Sequence, residues 1–303
     1  MLLSPIVFLL FPLACARRAY VSCDTEQSGK DNFVNNDGVT LHYRQYGYGP
    51  PLVFIHGFPD NAGTWFSQVE MFSKDYTVIT PTLRGFPPSG IPPNATDYTG
   101  AKYVSDLLAV LDDIGTDTAV VAAHDVGGSI MQQFAFAHPE RLEGIILINT
   151  PVLPIFLPLI QFDAGQQNMS LYTLKYFAYE PGQPKNVSFI TSKIRNEWYR
   201  AEIAQYLEES PMYGMLDFYK ENYPSPPYKQ NLSTAGFVYK IPSMILWGTE
   251  DPYFSPKMID GIEKYFLRGV RLVTVPGAGH WVFQDRATRS NREIGNFLEY
   301  LGY

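Results

Sequence analysis

Val120-Val121-Ala122-Ala123-His124-Asp125-Val126-Gly127-Gly128-Ser129 is a run of apolar, partly β-branched residues that ends in a polar pair and two glycines. Ile130 to Ala137 then carries a helix-like pattern. The stretch predicts a strand, a sharp turn and a helix. So tight a turn forces strained backbone on its apex, and Ala123 and Gly127, two residues to either side, must be small. The residue held at the apex is Asp125. Alone, an Asp here reads equally well as a cap for the following helix, so its role depends on what stands at the other strand ends.

The flanking sequence supplies those strands. Gly38 to Gly47 alternates as a half-exposed strand should, and Leu52 to Ile55, Thr77 to Thr80 and Gly144 to Ile148 are short apolar runs suited to buried ones. Thr64 to Phe72 and Tyr103 to Ile114 have helical spacing, the second ending at Gly115. Strands alternating with helices imply an α/β fold with a mostly parallel sheet and helices on both faces. After Pro151 the rhythm changes. Val152 to about Phe237 is rich in Tyr, Phe and Pro, with helical patches and no buried strand, and the strand pattern resumes at Ile241 to Trp247 and Val270 to Val275 before a final helix over Asn291 to Leu301. The expected organisation is a core built from 17–151 and 239–303 with a helical cap at 152–238. Neither internal repeats nor low-complexity tracts interrupt it.

With 303 residues, 46% hydrophobic and 15% aromatic, the chain can bury one large core. A net charge of -7 and a pI near 5.3, with no Lys/Arg cluster, argue against a nucleic-acid partner and for a small uncharged ligand. Met1 to Ala16 is apolar, short for a membrane span, and ends in Ala14-Cys15-Ala16, which predicts a signal peptide cut near Ala16 and entry to the secretory pathway. The missing basic start and the Arg17-Arg18 pair keep an uncleaved anchor in the endoplasmic reticulum membrane as the alternative. Sequons at Asn94, Asn168, Asn186 and Asn231 suit a secreted glycoprotein. Cleavage would leave Cys23 as the single cysteine, so stability must come from the core rather than a disulfide.

In sheets of this kind ligands bind beyond the carboxyl ends of the strands, and four places there carry chemistry. Asp125 is the first. The second is Ile55-His56-Gly57-Phe58-Pro59, where the Phe58 N–H and the Val126 N–H would form an oxyanion hole and His56 would brace the loop. Trp247-Gly248-Thr249-Glu250-Asp251 is the third, offering an acid to orient a His, with Asp251 favoured over Glu250 by its spacing from the strand. The fourth is Pro276-Gly277-Ala278-Gly279-His280-Trp281. Among the five histidines, His42 falls on an exposed-type strand face, His138 at a helix end, and His124 points away from the apex. His280 alone follows both Asp125 and Asp251 in the order nucleophile, acid, His.

On these residues the chain resembles the α/β-hydrolase superfamily, and its epoxide hydrolase branch in particular. The family's H-G-x-P appears as His56-Gly57-Phe58-Pro59, its elbow as Ala123-His124-Asp125-Val126-Gly127, and its acid and base as Asp251 and His280. A carboxylate at the elbow selects the chemistry. A Ser attacking a saturated carbon would give an ether, a dead end, whereas a carboxylate gives an ester that water activated by His280 can cleave. An epoxide's leaving oxygen also needs a proton, which a phenol of pKa about 10 can give. The resemblance implies Tyr219 as one such acid, in Phe218-Tyr219-Lys220-Glu221-Asn222. A second cap Tyr is expected a few residues before Phe177-Ala178-Tyr179-Glu180-Pro181-Gly182, but counting without a gap reaches Leu174, with Tyr172 and Tyr176 two residues to either side. Either could substitute, or Tyr219 could act alone. No cofactor or metal is expected.

Dehalogenases share the Asp elbow and come second. Haloalkane enzymes carry Asn after H-G and Trp after the nucleophile, where this chain has Phe58 and Val126. Fluoroacetate enzymes carry Arg after the nucleophile and three residues further on, where it has Val126 and Ser129. A non-catalytic binder of a hydrophobic ligand is the reading from another class, and the complete set of Asp125, Asp251 and His280 counts against it.

Overall fold

The computed structural model describes residues 29–230 and 236–303, so Met1 to Ala16, Cys23 and the Asn231 sequon lie outside the described residues. An eight-stranded sheet forms the centre. Its strands are β1 (Lys30–Asn36), β2 (Val39–Tyr46), β3 (Pro51–Ile55), β4 (Thr77–Pro81), β5 (Ala119–His124), β6 (Leu142–Ile148), β7 (Ser243–Gly248) and β8 (Val270–Val275), in the order β1-β2-β4-β3-β5-β6-β7-β8. From β4 to β8 neighbours run parallel, with β2 and β1 antiparallel at one edge. The parallel strands β5 and β7 are buried along their whole length, which is why they read as continuous apolar runs.

Two details differ from the sequence reading. The strand β1 is polar, KDNFVNN, and lacks the apolar run that marks a buried strand. Its signal was the Asp37-Gly38 turn, both residues at positive φ, the geometry a two-residue hairpin needs. His42 is buried rather than exposed, because the loop from Thr82 to Ser89 folds over its face of the sheet. Its Nδ1 lies 2.9 Å from Thr82 Oγ1, and its Nε2 lies 2.9 Å from Asp31 Oδ1.

Helices cover the sheet: α1 (Phe66–Phe72), α2 (Gly100–Asp113) and α3 (Val126–Ala137) arise between the early strands. Between β6 and β7 lie, among the described residues, six helices and no strand: α4 (Leu153–Phe162), α5 (Ala164–Met169), α6 (Thr173–Phe177), α7 (Val187–Thr191), α8 (Glu197–Glu209) and α9 (Tyr213–Asn222). The chain closes with α10 (Val282–Asp285) and α11 (Ala287–Leu301). Because β3, β5, β6, β7 and β8 run parallel, the residues after them emerge at one edge of the sheet. These residues are Gly57-Phe58, Asp125, Asn149, Asp251 and His280.

Candidate active site

Asp125 sits between β5 and α3 at φ 52° and ψ -124°, a conformation that L-residues avoid and that packing must hold in place. The packing is close. A Cβ on Gly127 would lie 2.3 Å from the His56 carbonyl oxygen, and one on Gly57 would lie 2.5 Å from the Asp125 Cβ. Both glycines let the two loops approach, though the sequence reading noticed only Gly127. The Asp125 side chain makes no capping bond to α3. Its Oδ1 instead accepts the Phe58 N–H at 3.0 Å.

Oδ2 of Asp125 lies 3.4 Å from Nε2 of His280. The other ring nitrogen, Nδ1, is 2.7 Å from Asp251 Oδ2. Asp251 is itself fixed: its Oδ2 accepts Asn149 Nδ2 at 2.7 Å and its Oδ1 accepts the N–H groups of Tyr253 and Phe254 at 2.8 and 3.2 Å. Asn149, missed from sequence, is the first residue past β6, and its Oδ1 takes the Gly248 N–H at 2.9 Å. Burial would push His280 down, but the Asp251 charge, with hydrogen bonds and charge from both carboxylates, outweighs it and pushes His280 up to about 10. Burial would likewise raise Asp125, and its hydrogen bond to His280 and the nearby imidazolium charge reverse this, leaving it below the ordinary carboxylate range. At neutral pH the resting site is an ion pair.

His56 and His124, also buried, support the site. His56 donates from Nδ1 to the Gly57 carbonyl at 2.8 Å and accepts the Leu83 N–H on Nε2 at 3.1 Å, so both nitrogens are used by a neutral ring. Burial holds it down at about 4. It braces the loop, as the sequence implied. His124 lies under His280, ring centroids 4.5 Å apart, and its Nε2 reaches the His280 carbonyl at 3.1 Å. Asp60, fully buried and also missed, accepts Tyr199 Oη at 2.8 Å and Trp281 Nε1 at 3.0 Å and stands 3.4 Å from His124 Nδ1.

Above Asp125 lies a cavity of about 60 Å³, walled by Leu153, Phe156, Leu157, Phe218 and Phe254 and by Tyr172, Tyr219 and Tyr223. Among the described residues no Lys or Arg lines it. Tyr219 and Tyr172 therefore share one space with the nucleophile candidate, whereas Tyr176 packs edge-on against Phe58 and Tyr219 at 5.3 and 5.0 Å and is not among the lining residues. Leu174 is 43% exposed, so a Tyr at that position would face solvent. Burial raises both Tyr219 and Tyr172 well above an ordinary phenol, with the charge on Asp125 next for Tyr219 and the neighbouring Tyr223 and Tyr219 ahead of Asp125 for Tyr172, so each is a neutral hydrogen-bond donor. Tyr223 bonds Ser170 Oγ at 3.0 Å and was not singled out in the sequence because Tyr is so common there.

A doubly wound sheet whose strained elbow presents its side chain to a His and to the N–H of a neighbouring strand-end loop defines the α/β-hydrolase class. The chain belongs to the alpha/beta hydrolase fold family, whose model matches residues 50–287. It is 26% identical to mouse epoxide hydrolase 3 over 291 residues, 88% of this chain and 76% of that one. The crystal structure of Bacillus megaterium epoxide hydrolase with an inhibitor superposes with a TM-score of 0.79 at 26% identity, covering 88% of this chain and all of the other. A mutant of that enzyme, also at TM-score 0.79 and 26% identity over 88% of this chain and all of its own, is complexed with its product (R)-3-[1]naphthyloxy-propane-1,2-diol.

Proposed function

We propose that this protein is an epoxide hydrolase that opens a small apolar epoxide to a vicinal diol through an ester on Asp125. The observation that carries the reading is the placing of Asp125 Oδ2 beside His280 Nε2, with Oδ1 on the Phe58 N–H, under two cap tyrosines. In the first stage Asp125 Oδ2 attacks one epoxide carbon, the C–O bond breaks, and Tyr219 with Tyr172 protonates the departing oxygen. The imidazolium returns a proton to the tyrosinate by way of solvent, which leaves His280 neutral. In the second stage His280 Nε2 takes a proton from water, and the oxygen attacks the Asp125 carbonyl carbon. The Phe58 and Val126 N–H groups hold the oxyanion. Collapse releases the diol and restores the Asp125 carboxylate and the His280 cation.

The apolar, cation-free cavity supports a neutral substrate, and the relatives' names and the neighbour's diol product support the reaction class. A single turnover in ¹⁸O-water tests it. The first diol released should carry unlabelled oxygen from Asp125, and immediate labelling of the diol would instead indicate direct attack by water. Activity on 1,2-dihaloalkanes or fluoroacetate in place of an epoxide panel would favour a dehalogenase.

We further propose the secretory route, with weak membrane association if the leader is retained. Asn94, Asn168 and Asn186 are all exposed, as glycan acceptors must be. Among the described residues no helix is long and apolar enough to cross a membrane. A mass decrease on enzymatic deglycosylation of protein from eukaryotic cells checks this.

A further inference from the structure

Glu250, the acid not used to orient His280, has a partner in the cap. Arg195, in the link between α7 and α8, donates from Nη2 to Glu250 Oε2 at 2.8 Å and from Nη1 to the Gly277 carbonyl at 2.8 Å. Its guanidinium lies over the next glycine, so that a Cβ on Gly279 would be 3.1 Å from Nε. Asp285 completes the group, with Oδ2 3.6 Å from Arg195 Nη1 and accepting the Gly279 N–H at 2.7 Å. Arg286 adds a second donor to the Gly277 carbonyl at 3.3 Å. The two loops are joined beneath by the Glu250 N–H on the Ala278 carbonyl at 2.8 Å. One cap side chain thus holds the residue before Asp251 and the turn before His280.

We propose that Arg195 is a positioning residue that clamps the acid loop to the base loop and fixes the aim of His280 at Asp125. Arg195 is 44% exposed on its side chain, and exposed ion pairs add little stability. Its effect is on geometry, where small misplacements slow a reaction strongly. The inference rests on the two-stage reading above, and within it the stages separate. Attack by Asp125 does not need His280 as a base, whereas cleavage of the ester does. Loosening the loop therefore slows the second stage.

The test compares wild type with Arg195→Ala, Arg195→Lys and Glu250→Gln, using styrene oxide. Steady-state rates are read beside the fraction of acid-quenched protein carrying the alkyl adduct by intact mass. Arg195→Ala should lower kcat by roughly ten- to a hundredfold, raise the adduct fraction and lower KM, with Tm little changed. Arg195→Lys should recover part of the rate, and Glu250→Gln should move all readouts less, in the same direction. A kcat within about twofold of wild type, or a fall in kcat without added adduct, overturns the clamp. Amide hydrogen exchange over Gly277 to Trp281 is measured on the same variants without substrate. If wild type forms neither adduct nor diol, the reading of Asp125 fails, and exchange alone then judges the clamp. Faster exchange in Arg195→Ala upholds it, and unchanged exchange sinks it.

Discussion

His280 Nε2 and Asp125 Oδ2 face each other across 3.4 Å, and the charge on each supports the charge on the other. In the proposed mechanism an ester on Asp125 would remove one of the two carboxylates that raise His280, so its pKa would fall in the intermediate, where a neutral base is required. The free enzyme needs only the Asp125 anion, which is held below the ordinary range. When ester cleavage limits turnover, the acid limb of kcat should therefore lie at least about one unit above the acid limb of kcat/KM. Coincident limbs across pH 4 to 10 would contradict the coupling.

The same groups set the pH dependence of stability. His280 is raised from 6.5 to about 10 by folding, so its contribution is complete below 6.5 and is lost as pH rises through 10. His56 is lowered from 6.5 to about 4, so folding excludes a proton that the unfolded chain binds, and stability falls as pH drops from 6.5 toward 4. Urea midpoints should decline on both sides. Replacing His280 with Gln should flatten the alkaline decline and leave the acid one; an unchanged alkaline decline would assign it elsewhere.

The three candidate tyrosines separate by where they stand. Tyr219 and Tyr172 line the cavity with Asp125, and Tyr176 packs against Phe58. Removing either cavity hydroxyl as Phe should lower kcat by about 10²-fold or more, the usual scale of general acid catalysis, and Tyr176→Phe should stay within about threefold. Measured rates of alkylation on the three single variants check the order. A larger loss in Tyr176→Phe than in Tyr172→Phe would reverse the assignment.

The glycines beside Asp125 leave no room for a methyl group. In Gly127→Ala the new carbon meets the His56 carbonyl at 2.3 Å, and in Gly57→Ala it meets Asp125 Cβ at 2.5 Å. Each clash is with backbone or with Asp125 itself, so each variant should lose about 1–3 kcal/mol in urea unfolding. Gly57→Ala should also lose more activity than Gly127→Ala, because it displaces Asp125 directly. Ala at Gly38, where nothing lies within 4 Å but φ is 81°, should cost only the strain of the turn.

What was legible in the sequence was local. Ala123-His124-Asp125-Val126-Gly127 carries its turn chemistry in five residues, and Asp251 could be preferred to Glu250 by its distance from β7 alone. Counting failed in the cap because α6 is five residues long and follows a turn, so Leu174 faces solvent and Tyr172 reaches the cavity. Alternation failed at His42 because a loop covers the face that alternation takes to be open. Asn149 and Asp60 were silent because their partners lie about a hundred residues or more away in the chain. No spacing rule reaches that far.

Asp60 shows what such a silent residue contributes. Its fully buried carboxylate accepts Tyr199 from the cap and Trp281 from the base loop, so it ties two parts of the fold that the sheet does not join directly. Truncation to Ala strands both donors without water, and breaking a buried charged network from one side costs about 3–5 kcal/mol. Tyr199→Phe removes a single bond and should cost about 1–2 kcal/mol. The double variant should be less destabilised than the sum of the two by at least about 0.5 kcal/mol, since the Tyr hydroxyl has no partner left to lose. Urea unfolding of the four proteins completes the cycle, and strict additivity would mean that the 2.8 Å contact carries no coupling between cap and core.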